Sequence, residues 1–122
     1  MIQRRTTLNV ADNSGALLLQ CIGIVKKGNA RYAEIGDIIV CSVKKAEPRR
    51  QIGVGDVVKA VVVRQKKPYR RKDGSFIRFF ENAAVILGTG NEPLGNRIFG
   101  PIPREIKEKG FTKIANLAEE LV

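Results

Sequence analysis

Four short apolar runs set the strongest limit on what this chain can fold into. ALLLQCIGIV (16–25), DIIVCSVKKA (37–46), VVKAVVVRQ (57–65) and AAVIL (83–87) are rich in aliphatic residues and separated by turn-forming segments. A shorter, partly alternating run, TTLNV, covers 6–10. Runs of this length bounded by Gly, Asn, Asp and Pro predict strands. No helix-length segment lies between them, which argues against βαβ units and for an all-β barrel or sandwich. Several runs are apolar at consecutive positions, as at Ile38, Ile39, Val40 and Cys41. A strand with one wet face would alternate, so these need cover on both sides. A small closed barrel with extra coverage outside meets that need.

The connections carry recognisable turn chemistry. In ADNSG (11–15), Asn13 and Gly15 can supply positive φ. IGDIIV (35–40) and VGDVVK (54–59) each place Gly-Asp directly before a strand. This is repeated turn chemistry rather than a duplicated domain. PREIKEKG (103–110) sets proline at a helix start and Gly110 at its stop, so a short helix is expected. Phe111, Ile114, Leu117 and Leu121 follow at helical spacing and predict a second one.

The length of 122 residues suggests one domain. Within it, charge is unevenly placed. Lys and Arg exceed Asp and Glu by 22 to 12, a net charge of +10. Residues 103–122 balance four cations (Arg104, Lys107, Lys109, Lys113) against four acids (Glu105, Glu108, Glu119, Glu120). All of the excess therefore lies in 1–102, giving a basic β body, a ribbon at about 64–80 and a neutral helical tail. A field of that sign favours anionic partners.

Several function classes lose support. Apolar residues make up 43% of the chain, too many for a disordered one. No apolar run approaches the ~20 residues of a membrane span, so no membrane role is expected. MIQRRTTLNV lacks the apolar core of a secretory signal, and a soluble intracellular protein is expected. Histidine is absent, which removes the commonest general base and metal ligand. Cys21 and Cys41 sit in apolar runs with no CxxC and read as buried small hydrophobes, with a disulfide or reactive thiol as the minor alternative. GTGNEPLG (88–95) lacks the Lys-Ser/Thr of a phosphate loop and reads as a connection. No enzyme, cofactor or metal site is expected.

The basic residues come in clusters: Arg4 and Arg5; Lys26, Lys27 and Arg31; Lys44 and Lys45; Arg49 and Arg50; Arg64, Lys66, Lys67, Arg70, Arg71 and Lys72; and Arg78. Like charges repel, and phosphate backbones relieve that repulsion. Within RQKKPYRRKDGSFIRFF (64–80), Asp73-Gly74 is a hairpin signal. PYRR and SFIRF can pair as a short ribbon that anchors one face and projects arginines from the other. Phe79 is expected to pack at its base. Tyr69 is open between packing and stacking on an unpaired base.

At these residues the chain resembles a known family. AVVV (60–63), nine residues, Asp73-Gly74, four residues, Phe79, then Asn82 and Val85-Ile86 are similar to the signature of the bacterial-type large-subunit ribosomal protein fourteen family. MIQ, LNVADNSGA (8–16), RYAEIGD (31–37), GDVVKAVVVR (55–64) and RIFGPI-RE (97–105, interrupted by Pro103) extend the resemblance over essentially the whole chain. The resemblance implies a five-stranded closed β-barrel with a protruding β-ribbon and short C-terminal helices. It implies a structural component of the large subunit that binds large-subunit ribosomal RNA. Further implied partners are the neighbouring large-subunit protein number nineteen, small-subunit RNA through an inter-subunit bridge, and a ribosome silencing factor. Asn96, Arg97, Lys113 and Asn116 match the surface that docks that factor. The expected location is the cytoplasmic ribosome of a bacterium or the ribosome of an organelle.

Departures from the family pattern are specific. Asn96 and Asn116 stand where Thr and Ser are common, and Leu17, Leu18 and Leu19 where basic or mixed residues follow Gly-Ala. Phe80 replaces a usual acid, Pro103 a small residue, and AEELV an ending with proline. The leucines and Phe80 either thicken the core or expose an apolar patch. Two other functions stand beside the ribosomal one. A free oligonucleotide-binding barrel requires aromatics exposed on a strand face. A protein-docking module would place its active surface on the neutral tail.

Overall fold

The computed structural model describes residues 2–25 and 31–122. Five strands close into a barrel: β1 (Thr7–Val10), β2 (Ala16–Val25), β3 (Ile38–Ala46), β4 (Val57–Arg64) and β7 (Ala83–Leu87). Neighbours β1–β2, β2–β3, β3–β4 and β4–β7 are antiparallel, and β1 closes the ring against β7 in parallel. The chain leaves the barrel between β4 and β7 to form the ribbon, β5 (Tyr69–Arg70) against β6 (Phe76–Ile77). The closed barrel, the ribbon and the short helices α1 (Glu105–Glu108) and α2 (Thr112–Leu117) are as the sequence leads one to expect.

The continuous apolar runs now have a physical cause. Alternate residues of β4 and β7 enter two different cores. Ala60, Val62, Ala84 and Ile86 point into the barrel with Leu8, Leu19, Cys21, Ile39, Cys41 and Val43. Val61, Val63, Ala83, Val85 and Leu87 point outward into a second core, completed by Ile98, Ile102, Ile106 and Ile114. The C-terminal segment is thus the outer cover of β4 and β7. Each side chain sealed this way contributes about 1.5–3 kcal/mol. Among the described residues the barrel core is built of aliphatic side chains and the two cysteines, with no aromatic ring. A five-stranded barrel has little internal width, and small branched side chains fill it.

Turn chemistry sets the strand entries. Gly36 and Gly55 adopt φ of 88° and 91°. In both turns the following aspartate accepts a bond from the amide three residues earlier, Asp37 from Glu34 at 2.7 Å and Asp56 from Gly53 at 2.9 Å. In ADNSG only Gly15 takes positive φ, and Asn13 does not. Instead the Asn13 side-chain oxygen accepts from the amides of Asn96 and Arg97, at 3.0 and 3.1 Å, and pins that loop to the barrel.

The tail departs from the expected helix. α2 ends at Leu117, and Ala118 is extended (φ −68°, ψ 141°). Glu120–Leu121 forms β9, parallel to β8 (Pro101–Ile102). Leu121 therefore lies on a strand. The Glu119 carboxylate accepts from the Gly100 amide at 3.2 Å, and the Val122 amide donates to the Ile102 carbonyl at 2.9 Å. These bonds favour a strand over another helical turn. The three leucines separate by position: Leu19 is in the barrel core, whereas Leu17 is exposed and Leu18 half-buried. Phe80 is fully exposed and adds nothing to either core.

Candidate nucleic-acid interface

The ribbon is held at its base by a buried glutamine. Gln65 accepts from the Ile35 amide (3.2 Å) and donates to the Lys67 carbonyl (2.9 Å), while its own carbonyl accepts from the Phe79 amide (3.0 Å). Phe79 and Tyr69 are half-buried and pack on the outer core. Tyr69 also lies beneath the Lys109 ammonium, 5.8 Å from the ring centre. Both rings therefore belong to the ribbon's foundation. At the tip, Asp73 accepts from the Ser75 amide (2.9 Å) and hydroxyl (2.6 Å). These bonds hold its carboxyl below the ordinary carboxylate value. Gly74 takes φ 89°, and the turn closes with the Arg71 amide on the Ser75 carbonyl. The tip is a shaped loop rather than a loose arm.

Most of the cations singled out in the sequence stand outward. Arg4, Arg5, Arg31, Lys44, Lys45, Arg49, Arg50, Lys66, Lys67, Arg70, Lys72 and Arg78 are exposed. The fold gathers them into shallow depressions. Arg5 and Lys66 share one beside β1, and Lys66, Lys67 and Tyr32 line the next. Arg49 and Arg50 face Asn96 across a third. Arg70 and Lys72 meet Arg104 and Lys109 in a cleft between ribbon and α1. Lys26 and Lys27 lie outside the described residues.

Two arginines of the basic clusters, Arg64 and Arg71, are tied inward, and a third, Arg50, is tethered at the surface. The Arg64 side chain is only 8% exposed. It pairs with Glu81 at 2.7 Å and donates to the carbonyls of Pro101 (2.9 Å) and Phe99. The Arg71 guanidinium lies 2.9 Å from Glu105 and donates to the Val122 carbonyl at 2.7 Å, joining ribbon to tail. Arg50 is exposed, yet it donates to the Asn13 carbonyl and lies 3.6 Å from Glu47. Linear clustering could not separate Arg64 and Arg71 from free cations, because their acceptors are distant in sequence; Arg50 has Glu47 only three residues away. The same reasoning passed over Lys59, an outward residue of β4 that the alternation Val57, Lys59 signals. Arg104 and Lys109 were counted only within the neutral tail and not as interface candidates, although both line the ribbon cleft.

The acidic residues are mostly occupied internally. Glu81 also accepts from Asn9 at 2.7 Å, and Glu92 pairs with Lys113 at 2.5 Å. Buried Asp12 accepts from Ser14 and from the Ile86 amide; burial raises its carboxyl above the ordinary value, partly offset by those bonds. With the acids held at turns and joints, the outward field is positive.

The positions expected to dock a protein fall on the 88–100 connection and on α2, which one ion pair joins. Asn96 and Arg97 belong to the loop pinned by Asn13, and Arg97 stacks on Phe99 at 5.6 Å. Lys113 reaches Glu92 of the same connection, and Asn116 is exposed on α2.

Among the described residues no cluster of His, Cys, Asp or Glu could hold a metal ion, and no helix is long and apolar enough to cross a membrane. Cys21 and Cys41 are free, buried and directly opposite on β2 and β3. Burial, with the neighbouring Cys21 adding to it, pushes the Cys41 thiol up to about 12. Over residues 1–122 the sequence matches the family model described as ribosomal protein L14p/L23e, and the chain belongs to that family.

Proposed function

We propose that this chain is a structural, non-catalytic component of the large ribosomal subunit that holds large-subunit ribosomal RNA. The observation that carries this is the division of charge. Acids close turns and joints, while Arg4, Arg5, Lys44, Lys45, Arg49, Lys66, Lys67, Arg70, Lys72 and Arg78 face solvent on rigid strand ends and ribbon. Phosphates take the place of counterions at such cations, and the fixed barrel sets their spacing. Recognition then follows the shape of folded RNA more than its sequence. The inward-tied Arg64 and Arg71 serve the scaffold that presents the others.

Family membership supports the finer roles as part of the same proposal: contact with large-subunit protein nineteen, a bridge to small-subunit RNA, and residence in a bacterial or organellar ribosome. Binding to a large-subunit RNA fragment should fall roughly 10³–10⁵-fold between 50 and 200 mM salt if about 6–10 phosphates are neutralised. A flat response would refute the phosphate contact. Co-sedimentation of a tagged chain with the large subunit tests the assembly directly, and migration only as free protein would refute it.

A docking role for a silencing factor is a second reading. It is favoured by the exposure of Asn96, Arg97, Lys113 and Asn116 around one joint between loop and helix. The free single-strand barrel is disfavoured, because the exposed rings (Tyr32, Phe76, Phe80, Phe99) all lie off the barrel strands.

A further inference from the structure

Phe80 is the most exposed apolar side chain of the described residues, with its ring fully in solvent. It follows Phe79, which is packed on the outer core, and precedes Glu81, whose carboxylate is held by Arg64 at 2.7 Å and by Asn9 at 2.7 Å. The backbone on both sides is therefore anchored while the ring stands free. Asn82 adds to this by accepting the Lys66 amide at its side-chain oxygen (2.9 Å) and the Asn9 amide at its carbonyl (3.0 Å). The chain on either side is tied at several points, and the ring stands clear of the protein surface.

Its surroundings identify the ligand chemistry. The depression beneath Phe80 is lined by Arg5, Thr7, Leu18, Lys66 and Asn82. Lys66 and Asn82 also line the adjoining depression, which holds Lys67 and the exposed ring of Tyr32. The one carboxylate next to the ring, Glu81, is already bonded to Arg64 and Asn9, so the local field comes from Arg5, Lys66 and Lys67. A protein hot spot would set the ring in a contiguous apolar patch. Among the described residues the one other apolar side chain lining the depression is Leu18; the rest are the cations Arg5 and Lys66, polar groups, and Glu81, whose charge is matched by Arg64. A flat π face within a cationic rim suits a nucleobase whose phosphates reach the cations on either side.

We propose that Phe80 is a stacking platform for an unpaired RNA base, with Arg5, Lys66 and Lys67 holding the flanking phosphates. This rests on the RNA-binding reading and adds to it a single-stranded contact that phosphate neutralisation does not require.

The chain contains no tryptophan, so Phe80→Trp installs a single reporter. The full chain, Phe80→Ala and Phe80→Trp are titrated with two probes over one shared series of salt concentrations. One is an RNA hairpin with a ten-nucleotide unpaired loop, and the other is a blunt duplex of equal phosphate number. The expected result is a roughly 5- to 100-fold loss for Phe80→Ala on the hairpin. Duplex affinity should be unchanged, Phe80→Trp should retain hairpin affinity, and its fluorescence should be quenched on the hairpin alone. Equal affinity of Phe80→Ala and parent for both probes, with steep salt dependence intact, overturns the stacking site and leaves the RNA-binding reading standing. Unchanged RNA affinity with lost co-sedimentation on the large subunit would assign the ring to a protein partner and also overturn it. Failure of the parent to bind either probe at low salt removes the RNA-binding reading itself.

Discussion

Replacing Arg64 separates scaffold from contact more sharply than any other substitution in the basic run. Its side chain is 8% exposed and joins the end of β4 to three groups: Glu81, the Phe99 carbonyl and the Pro101 carbonyl. In Arg64→Ala the two carbonyls lose a charged donor, each such bond being worth about 1.5–3 kcal/mol. Glu81 loses its ion pair but is 42% exposed and can rehydrate, so its share is small. Removing one partner of a buried pair costs about 3–5 kcal/mol, and partial rehydration places this case at about 3–4 kcal/mol. Against a total of about 5–15 kcal/mol for a domain, that is a large fraction.

The expected Tm drop is about 10–15 °C, scaled to a chain of this size. Urea melts of the parent, Arg64→Ala and Arg64→Lys give the ranking. Lysine keeps the charge but loses the planar fork, so it should fall between the other two. RNA affinity is measured well below each midpoint across a salt series. The slope of log affinity against log salt should be the same for all three proteins if the buried guanidinium serves the scaffold alone. An unchanged urea midpoint with a slope reduced by about one would refute the scaffold role and make Arg64 a phosphate ligand.

The exposed ribbon cations should behave in the opposite way. Arg70→Ala with Lys72→Ala should lower the salt slope by about two and leave stability within about 0.5 kcal/mol, as read by the same two assays. Asp12 supplies a pH dependence. Its folded carboxyl titrates above the ordinary value, so the folded state binds more protons between the two values. Its contribution to stability therefore falls as pH rises from about 4 through the raised value. Asp12→Asn removes that trend while leaving one donor at Ser14 or Ile86 unmatched, for a net loss of about 1–3 kcal/mol that narrows with rising pH. Urea midpoints at several pH values check this; a gap that widens with pH would refute the sign. Cys21 and Cys41 should resist iodoacetamide in the folded chain and react on unfolding, and rapid alkylation at neutral pH would contradict their burial.

The barrel was legible because its signals are local. Strand runs, Gly-Asp turns and the Asp73-Gly74 tip each fit within ten residues of chain. Consecutive apolar residues in β4 even announced an outer cover, although they could not say what supplied it. What escaped local reading depends on distant partners. Arg64 looked like one more cation in a basic run; its acceptors at Phe99 and Pro101 lie 35 and 37 residues away. Leu121 fitted a helical period, yet Gly100 and Ile102 offer backbone and side-chain bonds that a helix could not use. Tyr69 sat within a basic run, and only its place on the outer core shows that its ring packs there. For the candidate site, residue type was readable and outward orientation was not.

The placement of the acids links stability and binding through salt in opposite directions. Asp12, Asp37, Asp56 and Asp73 accept bonds from nearby backbone amides. Such bonds act at hydrogen-bond distance, well within the Debye length of about 10 Å at 0.1 M, and added salt weakens them little. Repulsion among the outward cations acts over longer distances and is screened. Folding stability should therefore hold or rise between 50 and 200 mM salt, while RNA affinity falls by orders of magnitude. Urea melts and binding titrations in matched buffers measure both on one preparation. A midpoint that fell in parallel with affinity would mean that exposed ion pairs hold the fold. The division between acids bonded within the fold and cations left outward would then be wrong. A midpoint that holds while affinity collapses means that the scaffold survives dissociation intact, as a preformed RNA clamp requires.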